Sequence, residues 1–309
     1  MEFQSGSITI HLFQGMKRMN KLKINIITDK DMSRVLGFEP GKTPTKIEYV
    51  TGNYNYDGIS VFLDKCFDVE DIHILDKVQS KIKCAWMHEP REIGEWCNKR
   101  YLNLENNLNK FDYVMVHDQY LLDKYPNKCV FTSDNAIWIQ DENIRIHEKT
   151  KLMSLIYSWK NWTDGHKLRH LIANQQSEGL DLYGDGSPHP VKFKEEALAD
   201  YQFSITIENS RSKYYYTEKL LDCFATGTIP IYWGCTNIED FFDVKGILQF
   251  ETLDDLIKIF NEINNEPNLY NMMYPFVLEN FNRVQAYHRH ADWIYDNVYT
   301  KILENIYEI

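Results

Sequence analysis

Residues Tyr201 to Gly234 read YQFSITIENSRSKYYYTEKLLDCFATGTIPIYWG. The pattern is strand, loop, helix, strand. Phe203, Ile205 and Ile207 alternate as one face of a strand. The loop delivers Glu208, Asn209 and Ser210 and ends in Tyr214, Tyr215 and Tyr216. Thr217 is placed as an N-cap, so Glu218 and Lys219 open a helix whose first-turn amides face an anion. Gly227 is placed to close that helix, and Ile229–Trp233 follows as a strand. Glu218 suits the positive helix start. Lys219 opposes it by about 0.3–1 kcal/mol, which makes sense beside a phosphate. The plain alternative is an exposed lysine with no task.

A second junction of the same kind lies upstream. Leu152–Tyr157 reads as a strand, and SWKNWTDGHKLRHL follows at 158–171. Asp164 or Thr163 can cap the helix, and Leu168, Leu171 and Ile172 form its expected buried stripe. Lys160, His166, Lys167, Arg169 and His170 crowd the loop and first turns. A solvated basic face explains either cluster alone. Two of them at equivalent places point to a nucleotide diphosphate at the carboxyl ends of parallel strands. Neither GxGxxG nor GxxxxGK[ST] occurs, so dinucleotide and P-loop readings lose support. GDG at 184–186 is a two-glycine turn ending the strand Asp181–Tyr183.

The rest of the chain bounds the reading. With 43% hydrophobic residues among 309, a full core is affordable and wholesale disorder is excluded. The net charge of −11 makes a general nucleic-acid binder a poor fit. Mean hydropathy is −0.48 and no apolar run approaches a membrane span. Residues 1–20 lack the apolar stretch of a signal peptide, and their Ser/Gly start is open to two readings, a disordered leader or a remnant of cloning. Six scattered cysteines form no CxxC, which suggests neither a disulfide framework nor a zinc ribbon. A reducing cytoplasm is the expected setting.

Alternating α/β structure is expected throughout. In the first half, Leu22–Thr28, Gly58–Leu63, Ile72–Leu75, Ile82–Trp86, Tyr113–Val116 and Lys128–Thr132 read as strands, with a helix across 93–108. The charged stretch Gln140–Lys151 reads as the connection between two lobes. Thr252 caps a helix carrying Leu253, Leu256, Ile257, Phe260 and Ile263. From Val284 onward, Tyr287, Ile294, Val298, Ile302 and Ile306 predict one long terminal helix packed across the lobe boundary. Glu89 follows an apolar strand in a loop ended by Pro90, so it can face a cleft between the lobes and serve as a base. Glu92 and Glu95 are its rivals, and pairing with Arg91 or a histidine is the plain alternative. His88 reads either as a partner that supports the base or, more plainly, as a surface histidine. Trp138, Trp159 and Trp162 add aromatic surface near the cleft; sugar-stacking platforms are one reading of them, and core or lobe-packing roles are expected for at least two.

FSITIENS and YYYTEKLLDCFATGTIPIYWG, with FDYVMVHD, LLDKYPN, the SxKxxxxGHxLRH segment and LYGDG before them, resemble the family 10 fucosyltransferases, α-1,3/1,4 enzymes that use GDP-fucose. The resemblance runs through residues 80–250 and is weak outside them. It implies a GT-B fold: two Rossmann-like lobes with an interlobe cleft, the last helix crossing back. Residues 1–145 would form the acceptor-binding lobe, 146–283 the donor-binding lobe and 284–309 the returning helix. Transfer to a glycan acceptor would invert the anomeric carbon without a metal, and with no cofactor beyond the donor itself. Arg169 and Lys219 match the pyrophosphate-binding cations, with Lys160 beside them. Asn209, Tyr215 and Glu218 match donor contacts, Glu218 at the fucose hydroxyls. MHEPRE resembles the family's Glu-Ser/Val-Pro stretch, and Glu89 then matches the general base. The chain departs from eukaryotic members in showing no membrane anchor and from some bacterial ones in showing no heptad array. Two other readings stand beside this one: the same fold with another nucleotide-sugar donor, and a non-catalytic carbohydrate- or nucleotide-binding protein.

Overall fold

The computed structural model describes residues 21–28, 42–133, 135–175 and 177–307. Residues 1–20 and the side chain of Ile306 lie outside the described part. The first half forms a six-stranded sheet from β1 (Leu22–Ile27), β2 (Ile47–Thr51), β3 (Asn55–Leu63), β4 (Gln79–Trp86), β5 (Tyr113–Val116) and β6 (Cys129–Phe131). Their order is β2-β1-β3-β4-β5-β6, and every pairing is parallel. The second half forms a five-stranded sheet from β7 (Lys151–Ile156), β8 (Leu180–Tyr183), β9 (Tyr201–Ile207), β10 (Ile229–Trp233) and β11 (Leu248–Gln249). Its order is β11-β10-β9-β7-β8, again all parallel. Parallel sheets need both faces covered, and each has an apolar cluster on either side. Two such lobes with a cleft between them are the GT-B architecture.

Central strands are buried on both faces, which refines the one-sided reading of β9. Phe203, Ile205 and Ile207 enter one core, while Ser204 and Thr206 are buried on the other side. Those two hydroxyls are satisfied there: Ser154 Oγ donates to Ser204 Oγ at 3.1 Å, and Thr206 Oγ1 meets Cys223 Sγ at 3.2 Å. Helix α1 (Glu95–Asn106) covers the first sheet with Cys97, Tyr101 and Leu104. Helix α2 (Gln119–Lys124) follows β5 and is capped by Asp118, whose carboxylate accepts the Leu121 amide at 2.8 Å. Helix α3 (Asp164–Asn174) follows β7, and α4 (Glu218–Thr226) follows β9. Gly227 closes α4 at φ 72°, where Ile146 would also crowd a Cβ at 2.8 Å.

Several expectations need correction. Ile72–Leu75 is no strand; the chain makes a short helical turn, Ile74–Lys77, instead. Strands β2 and β11, one at an edge of each sheet, are not among the expected ones; β2 is partly polar (IEYVT) and β11 is only two residues long. The stripe of α3 is rotated: Ile172 and Ala173 are buried, but Leu171 points outward. In α5 (Leu253–Asn265) Thr252 caps as expected, accepting the Asp255 amide at 3.2 Å, yet Ile257 is exposed and Ile259 takes its place inside. Helix α6 (Leu269–Val284) contains Pro275, a residue that reads as a break; tertiary packing of Tyr270, Met273 and Val277 overrides it.

The returning tail is not one helix. After α6 come a 3-10 turn (Gln285–Tyr287), α7 (His290–Ile294), a π-helical turn (Tyr295–Tyr299) and α8 (Thr300–Tyr307). The extra residue per turn rephases the helix. Ala291, Ile294, Val298, Tyr299 and Ile302 thereby all lie on the first sheet against Ile24, Val61 and Trp86. Asp292 fastens the contact, accepting the backbone amides of Thr45 and Lys46, each at 2.9 Å. Ile294→Ala should therefore cost about 2–5 kcal/mol of stability, the range for an emptied core site. Thermal unfolding checks it; a melting temperature equal to that of the exposed-site control Lys301→Ala would show that the tail does not hold the first lobe.

Candidate active site

The site is built where β9 stops. Glu208 follows the strand and its carboxylate has no solvent exposure. One oxygen accepts the Thr217 amide at 2.8 Å and the other accepts the Thr217 hydroxyl at 2.7 Å. The Lys219 ammonium stands 3.4 Å from the second oxygen. Such closeness needs two glycines. A Cβ on Gly165 would lie 1.7 Å from the Glu208 carbonyl oxygen, and one on Gly234 would lie 2.5 Å from Glu208 Cγ. The Gly165 amide instead donates to the Asn209 carbonyl at 3.1 Å. The starts of α3 and α4 thus converge on one loop, and with them their cations.

Arg169 is buried, and donates twice to the Ile207 carbonyl, from Nε at 3.1 Å and from Nη2 at 2.6 Å. Nη2 also donates to Asn209 Oδ1 at 3.0 Å. Lys219 Nζ donates to the Thr217 hydroxyl at 2.8 Å and lies 3.3 Å from Glu218 Oε1. The same Glu218 oxygen accepts Lys194 Nζ at 3.1 Å, and Lys194 reaches Asp222 Oδ2 at 3.1 Å. Burial alone would raise the Glu218 pKa, but Lys194 and Lys219 outweigh it and hold the carboxyl well below its usual range. Asp222 goes the other way: burial pushes it up to about 6 against the opposing pull of Lys194. Its other oxygen accepts the Trp138 amide at 2.7 Å. Lys194 lies far from this loop in sequence, and only the fold reveals it.

Arg169, Asn209, Tyr215, Glu218, Lys219 and Lys160 all line one cavity of about 970 Å³. Glu89 lines it from the first lobe, beside His88, Asp64, Trp96 and Arg100. A second hollow of about 480 Å³ adjoins it within the second lobe, sharing Trp138, Ser158, Arg169, Glu218 and Lys219. The main cavity's charged lining has five cations (Lys65, Arg100, Lys160, Arg169, Lys219) against three carboxylates (Asp64, Glu89, Glu218). A chain of net charge −11 therefore carries a cationic hollow fit for an anion.

Among the carboxylates following β4, Glu89 alone reaches this hollow. Its carbonyl accepts the Tyr101 hydroxyl at 3.0 Å, which ties the loop to α1. Glu92 lines a separate crevice, and exposed Glu95 pairs with Lys99 at 2.9 Å. Arg91 is taken by Asp118 at 2.7 Å and by Glu105 at 3.4 Å. His88 is half-buried rather than out on the surface; its ring stacks on Trp86 with centroids 4.3 Å apart, and it lines the cavity. The three tyrosines divide the loop's work. Tyr214 takes φ 64° and packs on Phe131 of the first lobe, Tyr215 stacks on His117 across the cleft, and Tyr216 is buried against Phe241 and Phe242. The tryptophans overturn expectation: Trp138, Trp159 and Trp162 are all exposed, by 42%, 66% and 57%. Trp138 lines both hollows under the Lys194 ammonium, and Trp162 packs edge-on against His166.

His166 was one cation of the basic junction in sequence; in the fold it is neutral. Thr163 caps α3, its hydroxyl accepting the His166 amide at 3.1 Å, and the Thr163 amide donates back to His166 Nδ1 at 3.3 Å. Nδ1 is thus an acceptor, and the ring proton sits on Nε2. Burial, with Arg169, Lys160 and Lys219 close by, lowers its pKa from 6.5 to about 4. Between those values this site binds more protons in the unfolded chain than in the folded one, so the His166 contribution to stability should be full above pH 6.5 and fall as pH drops toward 4. His166→Gln keeps an acceptor for the cap without titrating and should flatten this slope in pH-dependent melting; an unchanged slope would place the titration elsewhere.

Among the described residues no helix is long and apolar enough to cross a membrane, and no three or more His, Cys, Asp or Glu side chains gather as metal ligands do. Comparison with known proteins adds the family. A family model described as glycosyltransferase family 10 (fucosyltransferase), C-terminal part, matches residues 146–301. The alpha-(1,3)-fucosyltransferase FucT of Helicobacter pylori is 30% identical over 161 residues, covering 49% of this chain and 31% of its own. A mouse 4-galactosyl-N-acetylglucosaminide 3-alpha-L-fucosyltransferase 9 is 27% identical over 134 residues, covering 40% of this chain and 36% of its own. The chain thus spans about a third of the length of these curated relatives. A crystal structure of an alpha1,3-fucosyltransferase with GDP-fucose superposes with a TM-score of 0.56 at 18% identity, covering 90% of this chain and 93% of the other. With the fold, the converging helix starts and the matched sequence in agreement, the chain belongs to glycosyltransferase family 10, the fucosyltransferase family.

Proposed function

We propose that the protein transfers fucose from GDP-fucose to a hydroxyl of a glycan acceptor, inverting the anomeric carbon and requiring no metal. One observation carries the reading: a carboxylate of the first lobe and the cations of two helix starts in the second line the same hollow. The related alpha1,3-fucosyltransferase crystallised with GDP-fucose supports the donor. The division of labour follows, with residues 1–145 for the acceptor, 146–283 for the donor and 284–309 as the returning segment. Six free, buried cysteines support a reducing, cytoplasmic setting.

Arg169 and Lys219 take the diphosphate, with Lys160 at the rim and the first-turn amides of α4 beside them. Their fixed positive charge meets the charge that develops as GDP departs, so no metal need supply it. Arg169 is held by backbone and Asn209 oxygens, and is therefore oriented before the donor arrives. Ionised Glu218, steadied by Lys194 and Lys219, accepts hydrogen bonds from hydroxyl groups of the sugar. Tyr215 closes the donor side against His117. Glu89 takes the proton of the acceptor hydroxyl as that oxygen bonds to the anomeric carbon, and the bond from that carbon to the β-phosphate oxygen breaks on the opposite face. Positioning and leaving-group stabilisation share the rest of the barrier.

Glu89→Gln should lower transfer by about 10²–10⁴-fold while GDP-fucose still binds. Lys219→Ala should lower transfer by about 10²–10³-fold and weaken GDP binding as well. Steady-state kinetics with calorimetry separates the two, and full transfer by either variant would reject its role. Among nucleoside diphosphates GDP should stabilise the protein, by about 2.7 kcal/mol at 100 times its dissociation constant. Protection by UDP or CDP alone would move the donor to another nucleotide sugar.

A further inference from the structure

Lys219 has too many anions to serve Glu218 alone. Its ammonium lies 3.4 Å from Glu208 and 3.3 Å from Glu218, and the transfer reaction asks it to hold a diphosphate as well. Lys194 is free of the first and the last of these. It enters from outside the ENS–TEK loop, on a short 3-10 turn (Lys194–Ala197) between β8 and β9. Its ammonium lies 3.1 Å from Glu218 Oε1, the same oxygen that Lys219 meets, and 3.1 Å from Asp222 Oδ2. The Trp138 ring lies over it with its centroid 4.5 Å away. Asp222 has no exposure, and its other oxygen accepts the Trp138 amide at 2.7 Å, so the lysine is held from both sides. Lys194 lines the smaller hollow only, whereas Glu218 lines both.

We infer that Lys194 is a positioning residue for the donor: it is the counter-ion that keeps Glu218 ionised and in place while Lys219 turns to the diphosphate. This rests on the proposed transfer reaction. Glu208, Glu218 and Asp222 stand against Arg169, Lys194 and Lys219, an even balance to which the donor adds negative charge. Without Lys194 that added charge would favour the protonated carboxyl of Glu218. No other charged group around Glu218 can replace it. Arg169 is engaged by the Ile207 carbonyl and Asn209, and Lys192, in the same hollow, lies over the Phe193 ring. Glu208, Asp222 and Asp185 are carboxylates and oppose a further negative charge. Of the two carboxyls on Lys194, Asp222 takes a proton first, since burial pushes it up to about 6. Glu218 is buried too, yet the two lysines hold it well below its usual range.

The test uses the full chain with GDP-fucose as the probe. Lys194→Met should lower kcat/KM for GDP-fucose on the order of tenfold near neutral pH. It should also move the acid limb of that profile upward by about one pH unit, because Glu218 then needs a higher pH to ionise. Lys194→Gln, which keeps a hydrogen-bond donor without the charge, should behave alike, and Lys194→Arg should bring back most of both properties. In Glu218→Gln the carboxylate is gone, so adding Lys194→Met should cost less than about twofold more. A wild-type pH profile in Lys194→Met and Lys194→Gln, or a loss that adds in full to that of Glu218→Gln, would overturn the assignment. The carboxyl carbon resonance of Glu218, identified by its absence in Glu218→Gln, needs no turnover. It should titrate at higher pH in Lys194→Met than in the wild type, and equal titration would also overturn the assignment. A wild type inert toward GDP-fucose whose Glu218 resonance still moves in this way would overturn the transfer reading and leave the counter-ion standing.

Discussion

A carboxylate with no access to water holds this site together. Glu208 ends the central strand of the second sheet and binds the cap of the next helix through both its oxygens. Removing an ion of that kind from water carries a penalty of several kcal/mol, and good geometry has to offset it. Here the offset comes from the Thr217 amide and hydroxyl and from the Lys219 ammonium. The arrangement fixes where α4 begins, and so where Glu218 and Lys219 point. It also explains the glycines on either side, since the Glu208 backbone and side chain fill the space their Cβ atoms would need. The ENS and TEK segments are thus two halves of one internal bond rather than two independent motifs.

Around that bond the charges are arranged in layers. Lys219 touches Glu208 and Glu218, Lys194 touches Glu218 and Asp222, and Arg169 is braced by oxygens from the loop between them. Each cation is held in place before a ligand comes, and so little reorganisation is left for the moment of reaction. Lys160 differs, because it rides on an exposed loop near Trp162 with no carboxylate beside it among the described contacts. It contributes to the field of the cavity more than to its architecture.

Much of the fold is legible from sequence, for identifiable reasons. The core strands are rich in β-branched and aromatic residues, and Thr217, Gly227 and Thr252 mark helix ends by chemistry that needs only neighbours. What stays hidden depends on distant partners. His166 looks like a cation until burial and three positive neighbours are known. Lys194 becomes part of the site only because β8 and the loop after it pack beside α4. The terminal segment has helical spacing, but spacing alone does not show that a π-turn rephases it onto the first sheet. General hydrophobicity puts at least two of the three tryptophans near the cleft in the core or in lobe packing, and a binding hollow is where that expectation fails.

The chain passes between its lobes twice, and the two passages run side by side. Ile137 on the outgoing pass donates its amide to the Tyr287 carbonyl of the returning one at 3.4 Å, and His288 meets Asp141 at 2.7 Å. Lys42 of the first lobe adds a bond to the Ile137 carbonyl at 2.7 Å. Two passages joined to each other in this way make a single seam out of stretches far apart in sequence. The wall that carries Glu89 and the wall that carries Lys219 are thereby tied from behind, by residues that never touch the cavity.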